Sequence, residues 1–357
     1  MKGVLLAGGT GSRLRPITHT GPKQLIPIAN KPVIEYAIDD FKEAGITDIG
    51  VILGTQGREA VREYLGDGSR FGVDITYIVQ GKPLGLAHAV GCARDFVDGD
   101  DFVVYLGDNI LNESIADFVR GFEQGEYAAG VALQHVPNPE QFGVATLDED
   151  GNVVRIDEKP DDPEGDLVVI GIYLFSAQVF DAIQRVEPSA RGEYEITDAF
   201  QILIDEGGPV YSHRVDGWWK DTGRPEDILE ANRLILDDIE STIDGTVESG
   251  AEVVGKIDLH ETATVEDGAV VRGPVSIAED VVVGDGAYVG PYTSIGPATT
   301  IRETHIENSV VIGESTIEAH ETFVDSLLGR RTRLESKDGY LPDGRRLVVG
   351  ENSRLRL

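Results

Sequence analysis

Residues 251–301 read AEVVGKIDLHETATVEDGAVVRGPVSIAEDVVVGDGAYVGPYTSIGPATTI, and a single spacing organises them. Val253, Leu259, Val265, Val271, Ile277, Val283, Val289, Ile295 and Ile301 recur every six residues without a break. Two places before each stands Ala251, Ile257, Ala263, Ala269, Val275, Val281, Ala287, Thr293 or Thr299, nearly all small or β-branched. Glycines punctuate the gaps, as in Val-Gly-Asp-Gly and Ile-Gly-Pro. This is a hexapeptide repeat. One aliphatic residue per flat side, stacked over the coil below, predicts a triangular parallel β-helix with three hexads to a coil. The run breaks after Ile301, because Ile306 lies five residues on; Ile312 resumes the step of six, which predicts a local bulge or loop.

Upstream of about residue 240 the rhythm is different. GVLLA, DIGVILG, VDITYIV and DFVVYLGDN read as buried parallel strands. VIEYAIDDFKEAG, GREAVREYLGDG and LAHAVGCARDFV read as the helices between them. Such alternation predicts a doubly wound α/β sheet, with ligands beyond the carboxyl ends of its strands. The chain therefore divides into residues 1–242 and residues 243–357.

The formal net charge is −32, and the acidity is spread along the chain. That argues against nucleic acid as a partner. Arginine outnumbers lysine 22 to 9; dispersed carboxylates with few lysines point to a halophilic protein, the plainer alternative being an ordinary acidic one. The apolar start, Val4 to Ala7, is too short for a signal peptide, and no apolar run is long enough for a membrane span. A single cysteine, Cys92, fits a reducing compartment, so a cytoplasmic location is expected.

The candidate chemistry lies upstream. In LAGGTGSRLRP a strand runs into a glycine turn that can aim backbone N–H groups at an anion. It is not a P-loop, since no Gly-Lys-Ser/Thr closes it, and Leu14 stands where a dinucleotide fingerprint needs its third glycine. Asp108 in VVYLGDNI and Asp221 in GWWKDTG each follow an apolar segment. Two carboxylates on that rim could hold Mg²⁺ together with substrate phosphates, or each could simply shape a turn. In GNVVRIDEKP, Lys159 could meet a phosphate while Glu158 accepts bonds from hydroxyls, or the two could be a solvated pair. SARGEYEITDAF, with Arg191, Glu193 and Glu195, reads as structural or as a subunit contact more readily than as catalytic.

LAGGTGSRLRP with PKQLIPIANKP resembles the signature of sugar nucleotidyltransferases. More narrowly, YLGDN, EKP, RGEYEITD and WKDTG look like the long-form glucose-1-phosphate thymidylyltransferases. The resemblance covers essentially the whole chain. It implies a mixed, mostly parallel, Rossmann-like nucleotidyltransferase sheet followed by a left-handed parallel β-helix. It also implies Mg²⁺-dependent transfer from dTTP to glucose 1-phosphate, giving dTDP-glucose and pyrophosphate for rhamnose-type glycan precursors. Carried over, Gly8, Gly9, Gly11 and Arg13 would wrap the triphosphate, with Arg13 on the leaving phosphates. Lys23 would reach the α-phosphate and the sugar phosphate, Gln24 would help position them, and Gln80 and Gly85 would face the base. Asp108 and Asp221 would share Mg²⁺, while Asn109, Gly143, Glu158, Lys159 and Val169 would line the sugar-phosphate site. GKPLGLAHA lacks the Ser-Pro-Asp-Gly of many short-form thymidylyltransferases, which keeps UTP open beside dTTP.

The repeats themselves could be an acyltransferase, an assembly post or a lever on the first domain. His260, His305 and His320 are the candidate bases of an acetyl-transfer reading, as in bifunctional uridylyltransferases. Assembly into a homo-oligomer is the expectation, since an open coil end and flat faces invite subunit packing. The basic stretch 330–357 would then dock on an acidic neighbouring subunit. A catalytically inactive nucleotide-sugar sensor is a further alternative; it should have lost an Asp or a basic phosphate ligand, and Arg13, Lys23, Asp108, Lys159 and Asp221 are all present.

Overall fold

A computed structural model describes residues 1–19, 21–149 and 151–336, so the basic tail beyond Ser336 lies outside the described residues. By contacts the chain forms two compact units. One is Met1–Thr10 with Val33–Asp221, and the other is Gly11–Pro32 with Thr222–Leu357. This partition falls differently from the change of sequence rhythm near residue 242. A short segment after the first strand joins the repeats, as does the helix Pro225–Asp238.

The first unit is built on a mixed sheet. Lys2–Ala7 pairs in parallel with Asp48–Leu53 on one side and Phe102–Leu106 on the other, and Asp74–Val79 extends the parallel half. Three of these strands are continuous apolar runs because helices cover both faces; Val4, Leu5, Ile52, Val103 and Val104 are inaccessible to solvent. Asp74–Val79 departs from the expected buried strand. It ends the sheet with one neighbour only, and its residues are half-buried or exposed, Val79 being 46 % exposed. The predicted helices are Val33–Glu43, Arg58–Leu65 and a pair, Leu86–Gly91 and Arg94–Val97. Cys92 lies at the break of that pair, and burial pushes its thiol above the usual range. Beyond Phe102–Leu106 the sheet turns antiparallel. Leu167–Phe175 lies next, flanked by Gly143–Leu147 and Ala129–His135.

In the second unit the repeats wind into a left-handed parallel β-helix, six strands on two sides and five on the third. The inward residues stack in columns: Leu259, Ile277, Ile295, Val311 and Leu328 on one side, Val265, Val283, Ile301, Ile317 and Leu334 on the next. Val271, Val289, Ile306 and Phe323 complete the third. Neither the resumed step of six at Ile312 nor a bulge is found. Val311, not Ile312, faces inward in register with Ile295, so two successive steps are five residues long. Both short steps turn on a left-handed residue, Glu303 and Asn308, as the six-residue steps do at Asp280, Tyr292 and Ala298. The small residue two places ahead follows the true register, since Thr304 and Ser309 are buried there. In the first coil Ile243 and Val247 are exposed, and among the described residues no coil stacks beneath them.

Candidate active site

In the first unit the parallel register builds a rim. Ala7 is level with Leu53, Leu53 with Val79, and Leu6 with Leu106. The next residues, Gly8, Gly54 and Gln80, share one height; Gly107 stands one residue lower, level with Ala7, and Asp108 follows it to the rim. Gly8 and Gly54 touch so closely that a Cβ on Gly54 would lie 2.5 Å from the Gly8 carbonyl oxygen. Gly54 is a rim residue that the sequence reading missed, although a glycine directly after a buried strand was its signal. Gln80 is 9 % exposed; its Nε2 donates to the Gly85 carbonyl at 3.3 Å and meets His88 Nδ1 at 3.2 Å. Gly85 has φ 117° and is clamped against Tyr194, whose N–H donates to Leu84 and whose carbonyl accepts from Ala87. The segment that reads as structural thus shapes the Gln80–Gly85 corner.

Asp108 sits in the turn after Phe102–Leu106, and the next residues pair antiparallel with Trp219–Asp221. Asn109 is the register partner of Asp221, which sets Asp108 and Asp221 on neighbouring positions of one ribbon. Asn109, 2 % exposed, holds this arrangement: its Oδ1 accepts from Trp219 Nε1 at 2.6 Å, and its Nδ2 donates to Asp108 Oδ1 at 3.1 Å. Asp221 Oδ1 is buried with no hydrogen-bond partner. A buried carboxylate oxygen without a donor is costly unless something positive faces it. The pair therefore fits Mg²⁺, a hard cation held through one or two carboxylates plus phosphate oxygens. Among the described residues there is no group of three or more His, Cys, Asp or Glu arranged to hold a metal by themselves.

A second row lies across the antiparallel half. Gly143 is the partner of Glu158 on one side and of Val169 on the other, so three candidate sugar-site residues from three strands stand abreast. Lys159 follows with φ 45°; its N–H donates to the Phe142 carbonyl at 3.0 Å, and its Nζ lies 3.5 Å from Glu158. Glu158 is held from behind by Arg191 Nη2 at 2.8 Å and by the Thr197 hydroxyl at 3.3 Å. The same Arg191 nitrogen reaches Glu195 at 2.9 Å, and the Ser189 hydroxyl donates to that carboxylate at 2.7 Å. Burial would pull the Arg191 pKa down, but the bonds it donates to Glu158 and Glu195 outweigh it and raise it. Asp198 is pushed above the usual carboxyl range by burial and then by Glu195 and Glu158. Arg191 and Thr197 were not singled out as site residues; only their proximity to Glu158 in the fold reveals them. The two rows meet at Gly171, where a Cβ would lie 2.9 Å from Asn109 Oδ1.

The second unit carries the remaining candidates. Gly11 has φ 61°, and a Cβ there would lie 2.8 Å from Thr18 Cγ2 and 3.0 Å from Lys23 Cβ, so glycine is required on both counts. The Thr18 hydroxyl donates to the Gly11 carbonyl at 2.7 Å. Arg13 is exposed on the turn Ser12–Leu14, which is anchored by fully buried Leu14. Lys23 and Gln24 share the turn Lys23–Leu25. Gln24 is 1 % exposed, yet its Oε1 has no partner, a second orphaned acceptor among candidate site residues. Of the histidines considered for acetyl transfer, His260 Nδ1 meets the Thr262 hydroxyl at 3.1 Å, His305 packs edge-on against Tyr288, and His320 pairs with Glu303 at 3.0 Å.

Residues 2–238 match the model of the nucleotidyl transferase family. Over 357 residues, all of both chains, the sequence is 66 % identical to the low-salt glycan biosynthesis nucleotidyltransferase Agl11 of Haloferax volcanii. It is 44 % identical to a glucose-1-phosphate thymidylyltransferase of Streptomyces antibioticus, covering 100 % of this chain and 99 % of that one. A crystal structure of a putative glucose-1-phosphate thymidylyltransferase from Bacillus anthracis, in complex with a sucrose, superposes with a TM-score of 0.63 at 42 % identity. It covers 68 % of this chain and 98 % of the other.

Proposed function

Because the chain belongs to the nucleotidyl transferase family, we propose that it transfers a thymidylyl group from dTTP to glucose 1-phosphate, giving dTDP-glucose and pyrophosphate. The observation that carries this reading is the ribbon that pairs Asn109 with Asp221 and leaves a buried Asp221 oxygen unpartnered, one glycine away from the Gly143–Glu158–Val169 row. The names of the Streptomyces and Bacillus relatives favour thymidylyl transfer to glucose 1-phosphate, and that of the Haloferax relative favours a role in glycan assembly.

In this reading the sugar phosphate is already an anionic nucleophile, so no general base is required. The obstacle is repulsion between two polyanions and the charge that develops on the departing pyrophosphate. Arg13 meets the leaving phosphates, and Lys23 reaches the α-phosphate and the sugar phosphate, with Gln24 helping to position them; both cations are fixed positive charge where negative charge grows. Asp108 and Asp221 would hold Mg²⁺, which when bound supplies Lewis-acid neutralisation of the phosphate oxygens. Gln80 and Gly85 face the base edge. Glu158 orients a sugar hydroxyl and Lys159 the sugar phosphate, with Asn109, Gly143 and Val169 as the wall. Holding both substrates in line is worth up to about 7–11 kcal/mol of the barrier in ideal cases. The dispersed acidic charge supports a halophilic enzyme, the single Cys92 a cytoplasmic one, and the β-helix assembly into a homo-oligomer. Among the described residues no helix is long and apolar enough to cross a membrane.

Pyrophosphate release with Mg²⁺ in high KCl tests the proposal, pairing dTTP and UTP each with glucose 1-phosphate and with N-acetylglucosamine 1-phosphate. Preference for dTTP plus glucose 1-phosphate, abolished by Asp108→Asn, is the expected result. A UTP preference would keep the mechanism and replace the base. Silence on every pair from a folded protein would overturn the proposal in favour of a sensor.

A further inference from the structure

Within the second unit, three consecutive coils place Asp258, Ser276 and Ser294 in register on one side of the β-helix. Each is the middle residue of its strand, between two that point inward, so each faces out. Outward positions on a solvated side usually carry long or charged groups, yet Ser276 is 2 % exposed and Ser294 is inaccessible. What meets them comes from distant sequence. Asn30 Nδ2 donates to the Ser276 hydroxyl at 2.9 Å, and that hydroxyl donates to Asp258 at 3.2 Å. Asn232, from the helix Pro225–Asp238 and wholly buried, takes the next position. Its Oδ1 accepts from the Ser294 hydroxyl at 2.7 Å and from the Ala29 N–H at 2.8 Å, while its Nδ2 donates to the Tyr292 carbonyl at 3.0 Å. Ala29 and Asn30, with φ 47° and 63°, are the left-handed pair between the short strands Pro27–Ile28 and Lys31–Pro32. Asparagine takes that conformation readily, but alanine at φ 47° holds it only where its surroundings favour it.

We propose that Asn232 is a positioning residue for nucleotidyl transfer, clamping the Ala29–Asn30 turn to the β-helix and so fixing where Lys23 and Gln24 stand. The link between them is short and stiff. The Ile26 N–H donates to the Lys23 carbonyl at 3.1 Å, and Gln24, Ile26 and Ile28 are all buried. The β-helix is then part of the catalytic apparatus, because its Ser276 and Ser294 rungs complete the seat. The clamp stands on geometry alone; its catalytic consequence rests on the function proposed above for Lys23 and Gln24.

The test uses the full chain with Asn232→Ala and, as a milder variant that keeps the bond to Ala29, Ser294→Ala. For each, kcat, KM for both substrates, the melting temperature and hydrogen exchange across residues 21–32 are measured. Asn232→Ala is expected to speed exchange at the Ala29 amide and to lower kcat/KM for the triphosphate about tenfold or more, the scale set by small misplacements of reacting groups. KM for the sugar phosphate should rise as well, because Lys23 reaches both phosphates, with Ser294→Ala smaller in the same direction. A merely structural Asn232 would lower the active fraction and leave both KM values alone, and that result, or unchanged exchange at Ala29, would overturn the proposal. Should Asn232→Ala not fold, Ser294→Ala and Asn30→Ala decide it by the same split. If the unsubstituted chain transfers no nucleotide at all, the exchange data still judge the clamp while the function falls separately.

Discussion

Arg191 gives the sharpest check on the sugar side of the site. One of its nitrogens bridges Glu158 at 2.8 Å and Glu195 at 2.9 Å. Charge-assisted bonds of this length contribute about 1.5–3 kcal/mol each when well shielded. Shielding is incomplete, because the Arg191 side chain is 42 % exposed and Glu158 23 %, while Glu195 is only 6 %. Discounting the solvent-facing bond by half leaves about 2–4 kcal/mol for Arg191→Ala, most of it on the Glu195 side, where one buried carboxylate keeps a single hydroxyl donor from Ser189. A melting temperature lower by several degrees follows. The catalytic part is the tether on Glu158, worth about 1 kcal/mol, or roughly a five- to tenfold rise in KM for glucose 1-phosphate with KM for dTTP unchanged. Steady-state kinetics and thermal melts on Arg191→Ala, Glu195→Gln and the double variant separate the two effects. Neutralising Glu195 should restore the melting temperature and leave KM high, because Glu158 is still untethered. If the double variant recovers KM along with stability, or if Arg191→Ala folds with an unchanged KM, the assignment of Glu158 to the sugar is wrong.

Asp221→Asn removes charge beside an oxygen that has no donor, so kcat should fall at least about 100-fold and Mg²⁺ titrations should shift to higher concentration, with the melting temperature equal to or above the parent's. A melting temperature several degrees lower would show that Asp221 is instead satisfied in the fold. Glu113 lies below its ordinary value of 4.5: burial pushes it up, but bonds from His213 and from the Asp216 and Gly217 N–H groups outweigh that. A depressed carboxyl stabilises the fold above its unfolded value and loses that contribution as pH falls through the folded one. The melting-temperature gap between parent and Glu113→Gln should therefore be full near about pH 7 and close below about pH 4; a gap independent of pH would contradict the clasp. Ile295→Ala, at the centre of a column between Ile277 and Val311, should cost about 2–5 kcal/mol, whereas Val254→Ala, 54 % exposed, should stay within about 0.5 kcal/mol by chemical denaturation.

What could be read from sequence was what repeats or runs. The three inner parallel strands are legible because burial on both faces demands unbroken apolar residues, and the β-helix is legible because one inward aliphatic recurs per side. The edge strand Asp74–Val79 was misjudged because six residues of mixed polarity look buried or half-buried depending on a neighbour that only topology supplies. The slip at Val311 is a one-residue event in a corner, and adjacent Val310, Val311 and Ile312 offer three aliphatics for one inward place. Ser309, two residues ahead of Val311, was the discriminating mark. Asp108 and Asp221 were visible as strand-end carboxylates, but the ladder that sets Asn109 opposite Asp221 spans more than a hundred residues and leaves no local pattern. The same holds for Arg191 behind Glu158 and for Asn232 between Ala29 and Ser294, pairings made by the fold between residues unremarkable in their own stretches.

A chain of net charge −32 that handles two polyanions faces a conflict whose resolution can be measured. Repulsion from dispersed surface carboxylates acts over many ångströms, whereas Arg13, Lys23 and Lys159 would act on phosphates at hydrogen-bonding distance. Salt separates the two ranges: the screening length is about 8–10 Å near 0.1–0.15 M and about 3 Å at 1 M. Raising KCl should erase the distant repulsion before it weakens contacts made at hydrogen-bonding distance. On this argument kcat/KM for the triphosphate rises between about 0.1 and 1 M KCl, mainly through association, while the surface pays less self-repulsion in staying folded. A protein whose anion recognition depended on a long-range positive field would show the opposite slope. A steady fall of kcat/KM over that range, with the melting temperature still climbing, would mean that salt stabilises the fold without helping the substrates arrive, and the acidic surface would then be an adaptation of solubility alone.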